Sequence, residues 1–430
     1  MLNKSDYTRH AYHIRFFGKH FMNVFFSRFT KPPLFYWGWV FVAFGVVHFT
    51  DDFLPLGGGV RKTLFWIALL GISIPIWQDL RTRSPHIQWS EWRKYFVGGA
   101  LLTAALAVLV WNLESSSMGT VYAERARAPF LQPADWYNKR LLMPVFANLL
   151  GLVGDRFYLF STIVFFGFNT LLVGWLSQHT KLASWQTFSL ATSSFVLYQH
   201  MFPGYPDALM GIFFLIAMWP NQKQDVRLIA LTLALLTHEV SAVPGIFIAW
   251  RFLDRQTRWQ YIGTVALYGV IWLTSFGFEV GALVAVHGVH GKPGWLWALE
   301  NPSLLTLGWV ISYKLMWLFI ALGAIYALIK QEWRDALFIV GTISAALGLG
   351  LLAVDVSRLA GFGFPALLVA LPYAISRMRA NRMNILLSII FAGNLLLPSF
   401  YVGLNSGILL RPGLYEQLYW LIVNGKLTIF

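Results

Sequence analysis

YLFSTIVFFGFNTLLVGWLS, residues 158–177, runs for twenty residues without a charge. A helix of about 20 residues, rising about 1.5 Å per residue, matches the roughly 30 Å hydrocarbon core of a bilayer. A surface helix of a soluble domain needs a polar stripe to face water, and this run has none. The same signature recurs on both sides of it. Apolar stretches fall near 35–50, 62–79, 95–113, 156–178, 185–202, 206–220, 226–238, 241–253, 258–278, 308–330, 335–354, 358–376 and 383–402. The pair 226–238 and 241–253 is short and reads as one broken or re-entrant hairpin. The expected fold class is therefore all-α, a polytopic transmembrane helical bundle of about 11–13 spans.

Composition points the same way. The chain is 57% hydrophobic and only 12% charged, about half the charged fraction of an ordinary soluble domain. Thirty-three Lys and Arg against 19 Asp and Glu give a formal charge of +14. No basic amphipathic stripe accompanies that excess, so nucleic acid is not an expected partner, and membrane lipids and topology are the expected causes. With no cysteine, disulfides, thiol catalysis and Cys-ligated metals are out. No P-loop, Rossmann glycine fingerprint or G-x-S-x-G occurs, which removes the common soluble enzyme classes.

Charge also orients the spans. With the N-terminus inside, 21 of the 33 Lys/Arg fall in cytoplasmic segments, 11 lie on the other side, and Lys314 lies within a span; cationic loops stay cytoplasmic. No cleavable signal peptide is read. The expected organisation is a cytoplasmic amphipathic basic arm (1–34), an N-terminal transmembrane hairpin (35–94), a core (95–376) with an outer loop at 114–155 carrying amphipathic interfacial helices, and a final span with an outer tail (377–430). Compact loops favour a bacterial inner membrane.

Under this topology the acids and histidines gather outside: Asp51 and Asp52, Glu114, Glu124 and Asp135 in the outer loop with Arg140, His238 and Glu239 in LTHEVSAVP, His287 and His290, and Asp355 with Arg358 in VDVSRLAGFGFP. Charge at membrane depth is costly and usually partnered or functional. Each group also has a plainer reading. Glu124 and Arg127 stand at i and i+3 and form a surface pair; His238–Glu239 caps a short helix; Asp355 bridges locally to Arg358; Lys314 snorkels outward or holds a phosphate. The loop itself, with YAERARAPF as one short helix and LLMPVFANLLG as another too short to span, is longer than a mere connection requires.

VYAERARAPF followed by DWYNKRLLMPVFANLLG, the LTHEVSAVPGIFIAW hairpin and the DVSRLAGFGFPALLVAL turn resemble the GT-C superfamily of integral membrane glycosyltransferases. That resemblance implies a GT-C-like core over 95–376, a polyprenyl-phosphate-linked sugar as donor on the non-cytoplasmic face, and inverting transfer. It also implies a catalytic carboxylate in an Asp-Glu pair before the Tyr-Ala-Glu stretch. Here Met118 and Gly119 stand at that place, leaving Glu114, Glu124, Asp135 or Asp52 as the base.

The chemistry asks for one carboxylate to deprotonate an acceptor hydroxyl and cations or a metal to bear charge on the leaving phosphate. The catalytic candidates are Glu124, Asp135 and Glu239; Arg140, His238, Lys314, Asp355 and Arg358 are the candidates for binding the lipid phosphate. A divalent ion such as Mg or Mn would draw on the carboxylates and His238, although no metal spacing stands out. Three other readings remain open: a polymerase- or ligase-like protein acting on lipid-linked glycans, a transporter or flippase, and a non-catalytic subunit beside other membrane subunits.

Overall fold

The computed structural model describes residues 33–48, 58–82, 89–109, 117–130, 140–180, 202–274, 294–352, 355–376, 378–403 and 406–411, with five isolated positions besides. The elements are α1 (Pro33–His48), α2 (Gly58–Thr82), α3 (Trp89–Leu109), α4 (Ser117–Arg127), α5 (Leu142–Leu149), α6 (Phe157–Thr180), α7 (Asp207–Met218), α8 (Gln224–Thr237), α9 (Ala242–Phe252), α10 (Arg255–Thr274), α11 (Gly294–Glu300), α12 (Pro302–Tyr313), α13 (Trp317–Ile329), α14 (Trp333–Leu352), α15 (Val356–Gly361), α16 (Phe364–Ser376), α17 (Ala380–Leu396), β1 (Ser399–Gly403) and β2 (Ser406–Arg411). Helices dominate, and three described ones are long and apolar enough to cross a membrane: Gly154–Thr180, Pro302–Ile329 and Trp333–Leu352. Along these helices Ile163, Ile325 and Val340 stay exposed, apolar surface that water would not favour.

Sequence periodicity explains where each helix sits. All but one residue between Val226 and Thr237 on α8 is buried, the mark of a helix apolar all round and enclosed by its neighbours. It packs against α7, α9 and α10. At 14 residues it reaches only about 21 Å, short of a bilayer core, and enclosure by protein is what permits that length. The 226–253 segment is the broken hairpin expected, with a 3-10 turn at Glu239–Ser241 joining α8 to α9. The two short helices expected within 114–155 are present as α4 and α5, packed on one another.

Two expected spans are altered. The span at 308–330 breaks at Lys314, whose φ of +46° is outside the helical region. Its ammonium donates to the carbonyls of Asn394 and Leu397 at 3.1 and 3.0 Å, satisfying the end of α17 where a cation is favoured. The span at 383–402 ends at Leu396, because Pro398 forces Leu397 into extended backbone (ψ 135°). The chain then turns into an antiparallel hairpin, β1 with β2, pairing Tyr401 with Ile408. That small sheet departs from the all-α expectation. Val402 N–H donates to Ser357 Oγ at 3.0 Å, fixing the hairpin to the first turn of α15.

Polar side chains collect at the two ends of the helix stack. At one end, Arg251 pairs with Asp335, Arg334 donates to the Trp250 carbonyl at 2.6 Å, and Arg227 donates to the Trp219 carbonyl at 2.8 Å. At the other, the turns before α7, between α8 and α9, and before α15 meet residues of the 117–149 loop. Between Pro203 and Leu253 the described turns thus fall at alternate ends.

Candidate functional site

Four separate segments build the second of these ends. The turn FPGYPD delivers Tyr205 and Asp207. Gly204 makes that turn possible: its φ is +92° and its N–H donates to Ser161 Oγ at 2.7 Å, and a Cβ there would sit 2.9 Å from Gly119 Cα. Gly119 in turn abuts the Pro203 carbonyl, which any side chain would overlap. The resemblance implies an Asp-Glu pair at Met118 and Gly119, and the close approach of two backbones leaves no room for a side chain at 119.

Asp207 opens α7, where a carboxylate is favoured by the helix dipole. Both its oxygens are taken by Arg358, through Nε and, at 2.7 Å, through Nη2. Arg358 Nη1 donates to Asp355 Oδ2 at 2.6 Å, and Nη2 lies 3.4 Å from His238 Nε2. The guanidinium also stacks over the Tyr205 ring at 4.4 Å. Four of its five N–H groups have a partner in this cluster or share one.

Arg140 serves a second fork. It holds Glu239 through Nε (3.0 Å) and Nη2 and donates from Nη1 to the Tyr122 hydroxyl at 3.2 Å. Glu239 follows the C-terminus of α8, yet it begins the turn that leads into α9, so it faces a favourable helix start. His238, extended at φ −160° and ψ 126°, joins the two forks. Its Nδ1 accepts the Val240 N–H at 3.3 Å and lies 3.3 Å from Glu239 Oε2, while Nε2 lies 3.4 Å from Arg358 Nη2. His238 thereby stands between Arg358 and Glu239.

The three carboxylates differ in freedom. Burial raises the Glu239 carboxyl pKa, but Arg140 and His238 reverse that and hold it well below the ordinary carboxylate range. Its contribution to stability is therefore complete above about pH 4.5, its ordinary value, and is lost as pH falls through the depressed value of the folded state. Thermal unfolding of the protein and of Glu239→Gln across pH 3–7 should show a gap that is constant above about pH 5 and closes in acid; a gap unchanged at pH 3 would contradict it. Asp207 has no oxygen to spare. Asp355 gives Oδ2 to Arg358, while its buried Oδ1 has no arginine partner; the carboxylate lies in hydrogen-bonding reach of Tyr401, whose hydroxyl pKa is pushed well up by burial and then by this charge. At 22% side-chain exposure, Asp355 is more open than Asp207 at 5% or Glu239 at 14%.

Of the residues expected from the sequence, Arg140, His238, Glu239, Asp355 and Arg358 come together. Glu124 does not: it is exposed and faces Arg127 at 3.7 Å, the plain i,i+3 surface pair. Lys314 is buried against the end of α17 as described. Asp135, together with Asp51, Asp52, Glu114, His287 and His290, lies outside the described residues. Among the described residues no three carboxylate or histidine groups converge as metal ligands. Sequence reasoning missed Asp207, Tyr122 and Tyr205. Asp207 carried a usable signal, a single carboxylate opening the apolar run 208–218; the tyrosines carried none, since aromatics abound in this chain.

Compared with protein-family models, curated proteins and solved structures, the chain matches none.

Proposed function

We propose that the chain is a multi-span membrane enzyme of GT-C type, transferring a sugar from a polyprenyl-phosphate carrier to an acceptor hydroxyl at the end of the bundle where Arg140 and Arg358 lie. The observation that carries this reading is the convergence of two arginines, three carboxylates and a histidine from separate turns onto one face. A bundle of apolar helices has no structural need to bring so much charge together.

The roles differ from those the sequence favoured. Asp355, the one carboxylate of the three with an oxygen not held by arginine, is the base that takes the acceptor proton. The acceptor oxygen then bonds to the sugar's anomeric carbon as the bond to the carrier phosphate breaks, and the electron pair leaves with the phosphate. Arg358 and Arg140 bear that charge, and Glu239 and Asp207 hold the guanidiniums in place. Tyr205 and Tyr401 offer the ring faces and hydroxyls that a sugar stacks on and bonds to, and the buried Tyr122 hydroxyl helps hold Arg140. The donor enters from lipid alongside the amphipathic α4 and α5, on the non-cytoplasmic side of a bacterial inner membrane.

A second reading, a non-catalytic subunit of a membrane assembly, draws on one fact: both guanidiniums are already bonded to carboxylates, as in a purely structural network. Photo-crosslinking separates the two. In nanodiscs, a diazirine-bearing polyprenyl phosphate should label the 117–149 loop or the turn at 355–358, and unlabelled polyprenyl-phosphate sugar should compete at least ten-fold better than the alcohol lacking phosphate. Equal competition by the alcohol would leave only nonspecific lipid contact and remove the transferase reading.

A further inference from the structure

The opposite end of the bundle presents a cationic cradle that the proposed chemistry does not use. The C-terminus of α9 is gripped from two sides. Arg334, leading α14, donates from Nη2 to the Trp250 carbonyl at 2.6 Å and stacks over the Trp250 ring at 5.7 Å. Arg258, on α10, donates from Nη2 to the Leu253 carbonyl at 3.1 Å, and its Nε–H is buried without an acceptor. Each guanidinium has five N–H donors and spends one position on a carbonyl, so both keep donors for another anion.

The nearby carboxylates do not supply it. Asp335 is tied to Arg251 and receives the Tyr373 hydroxyl, and Asp254 caps Thr257 N–H at 2.8 Å. The cations therefore face one another. Beside the arginines, Trp259 and Trp333 project 63% and 61% exposed. Indoles standing clear of the protein next to arginine are the pattern of a headgroup layer, where the ring sits at the interface and the cation meets phosphate.

We propose that Arg258 and Arg334 bind the phosphate of an anionic phospholipid, with Trp259 and Trp333 flanking its glycerol and upper acyl chains. This rests on the membrane reading of the bundle and is independent of any transfer at the other end.

The full chain, purified in a neutral detergent, is titrated with phosphatidylglycerol, with phosphatidylcholine of the same acyl chains, and with water-soluble glycerol phosphate, while its thermal midpoint is followed. Phosphatidylglycerol should raise the midpoint saturably, and the other two should not. Arg334→Gln should weaken the apparent affinity about five-fold, the equivalent of about 1 kcal/mol for one basic residue at a lipid surface, and Arg258→Gln with Arg334→Gln about 25-fold. Arg334 is exposed, so its single variant should fold even if the double variant does not. An equal rise with phosphatidylcholine, an unchanged phosphatidylglycerol affinity in Arg334→Gln, or the same rise with glycerol phosphate would overturn the site. A protein that failed to enter bilayers at all would instead remove the membrane reading, which nanodisc incorporation measures separately.

Discussion

Arg358→Ala is expected to be the most destabilising single change in the cluster, by about 3–5 kcal/mol, the range for breaking a buried ion pair from one side. The side chain is 8% exposed and neutralises two carboxylates at once. Without it Asp207 keeps neither of its two arginine bonds, and Asp355 loses Nη1 and stands unpaired beside it. The cost lies in leaving charge uncompensated, not in losing the net worth of the bridge. Adding Asp207→Asn to Arg358→Ala should therefore recover a substantial part of the loss. Arg358→Lys should fall between, because an ammonium keeps the charge but cannot bond Asp207 through a two-pronged fork while reaching Asp355. Equilibrium unfolding in mild detergent with added denaturant would measure all three. A loss under about 1 kcal/mol for Arg358→Ala would mean that these turns are held by apolar packing alone, with Arg358 adding no more than an exposed salt bridge does.

How much of this was legible beforehand depends on the kind of information each residue carries. Apolar runs announce helices, and most described helices begin and end within a few residues of the runs read. α6, at 157–180 against 156–178, is a case where hydropathy alone suffices. Lys314 shows the limit. A positive φ in the middle of an apolar run has no hydropathy signature, and the acceptors that keep the lysine there, the carbonyls at 394 and 397, are some 80 residues away. The last span failed for a local reason that was readable: Pro398 bars the helix, and the apolar residues beyond it belong to a strand. Within the site, charged residues at the ends of apolar runs were conspicuous, which is how Arg140, His238, Glu239, Asp355 and Arg358 were found. Their roles were not conspicuous. Whether a carboxylate is a base or a clamp depends on how many arginine nitrogens reach it, a matter of tertiary geometry. Glu124 looked as promising as Glu239 in the sequence, yet one is exposed to solvent and the other is gripped by Arg140.

Asp355→Asn should then give the largest functional loss, on the order of 10²–10⁴ in turnover, the usual contribution of a positioned general base, with little loss of stability. Asparagine keeps an oxygen for the Arg358 Nη1 bond and nearly the same shape, while it has no capacity to take a proton. Glu239→Gln is the informative companion. Glu239 spends both oxygens on Arg140, so its loss should misplace the guanidinium, weakening donor binding more than the chemical step and lowering the thermal midpoint as well. Kinetics on reconstituted protein with a polyprenyl-phosphate sugar would separate them: a fall in kcat at nearly constant KM for Asp355→Asn, and a rise in KM together with reduced stability for Glu239→Gln. The reverse pattern would return the base to Glu239 and make Asp355 a clamp on Arg358. Asp355→Asn turning over at the wild-type rate would leave this carboxylate without a chemical role, and the base would then have to come from the segment around Asp135.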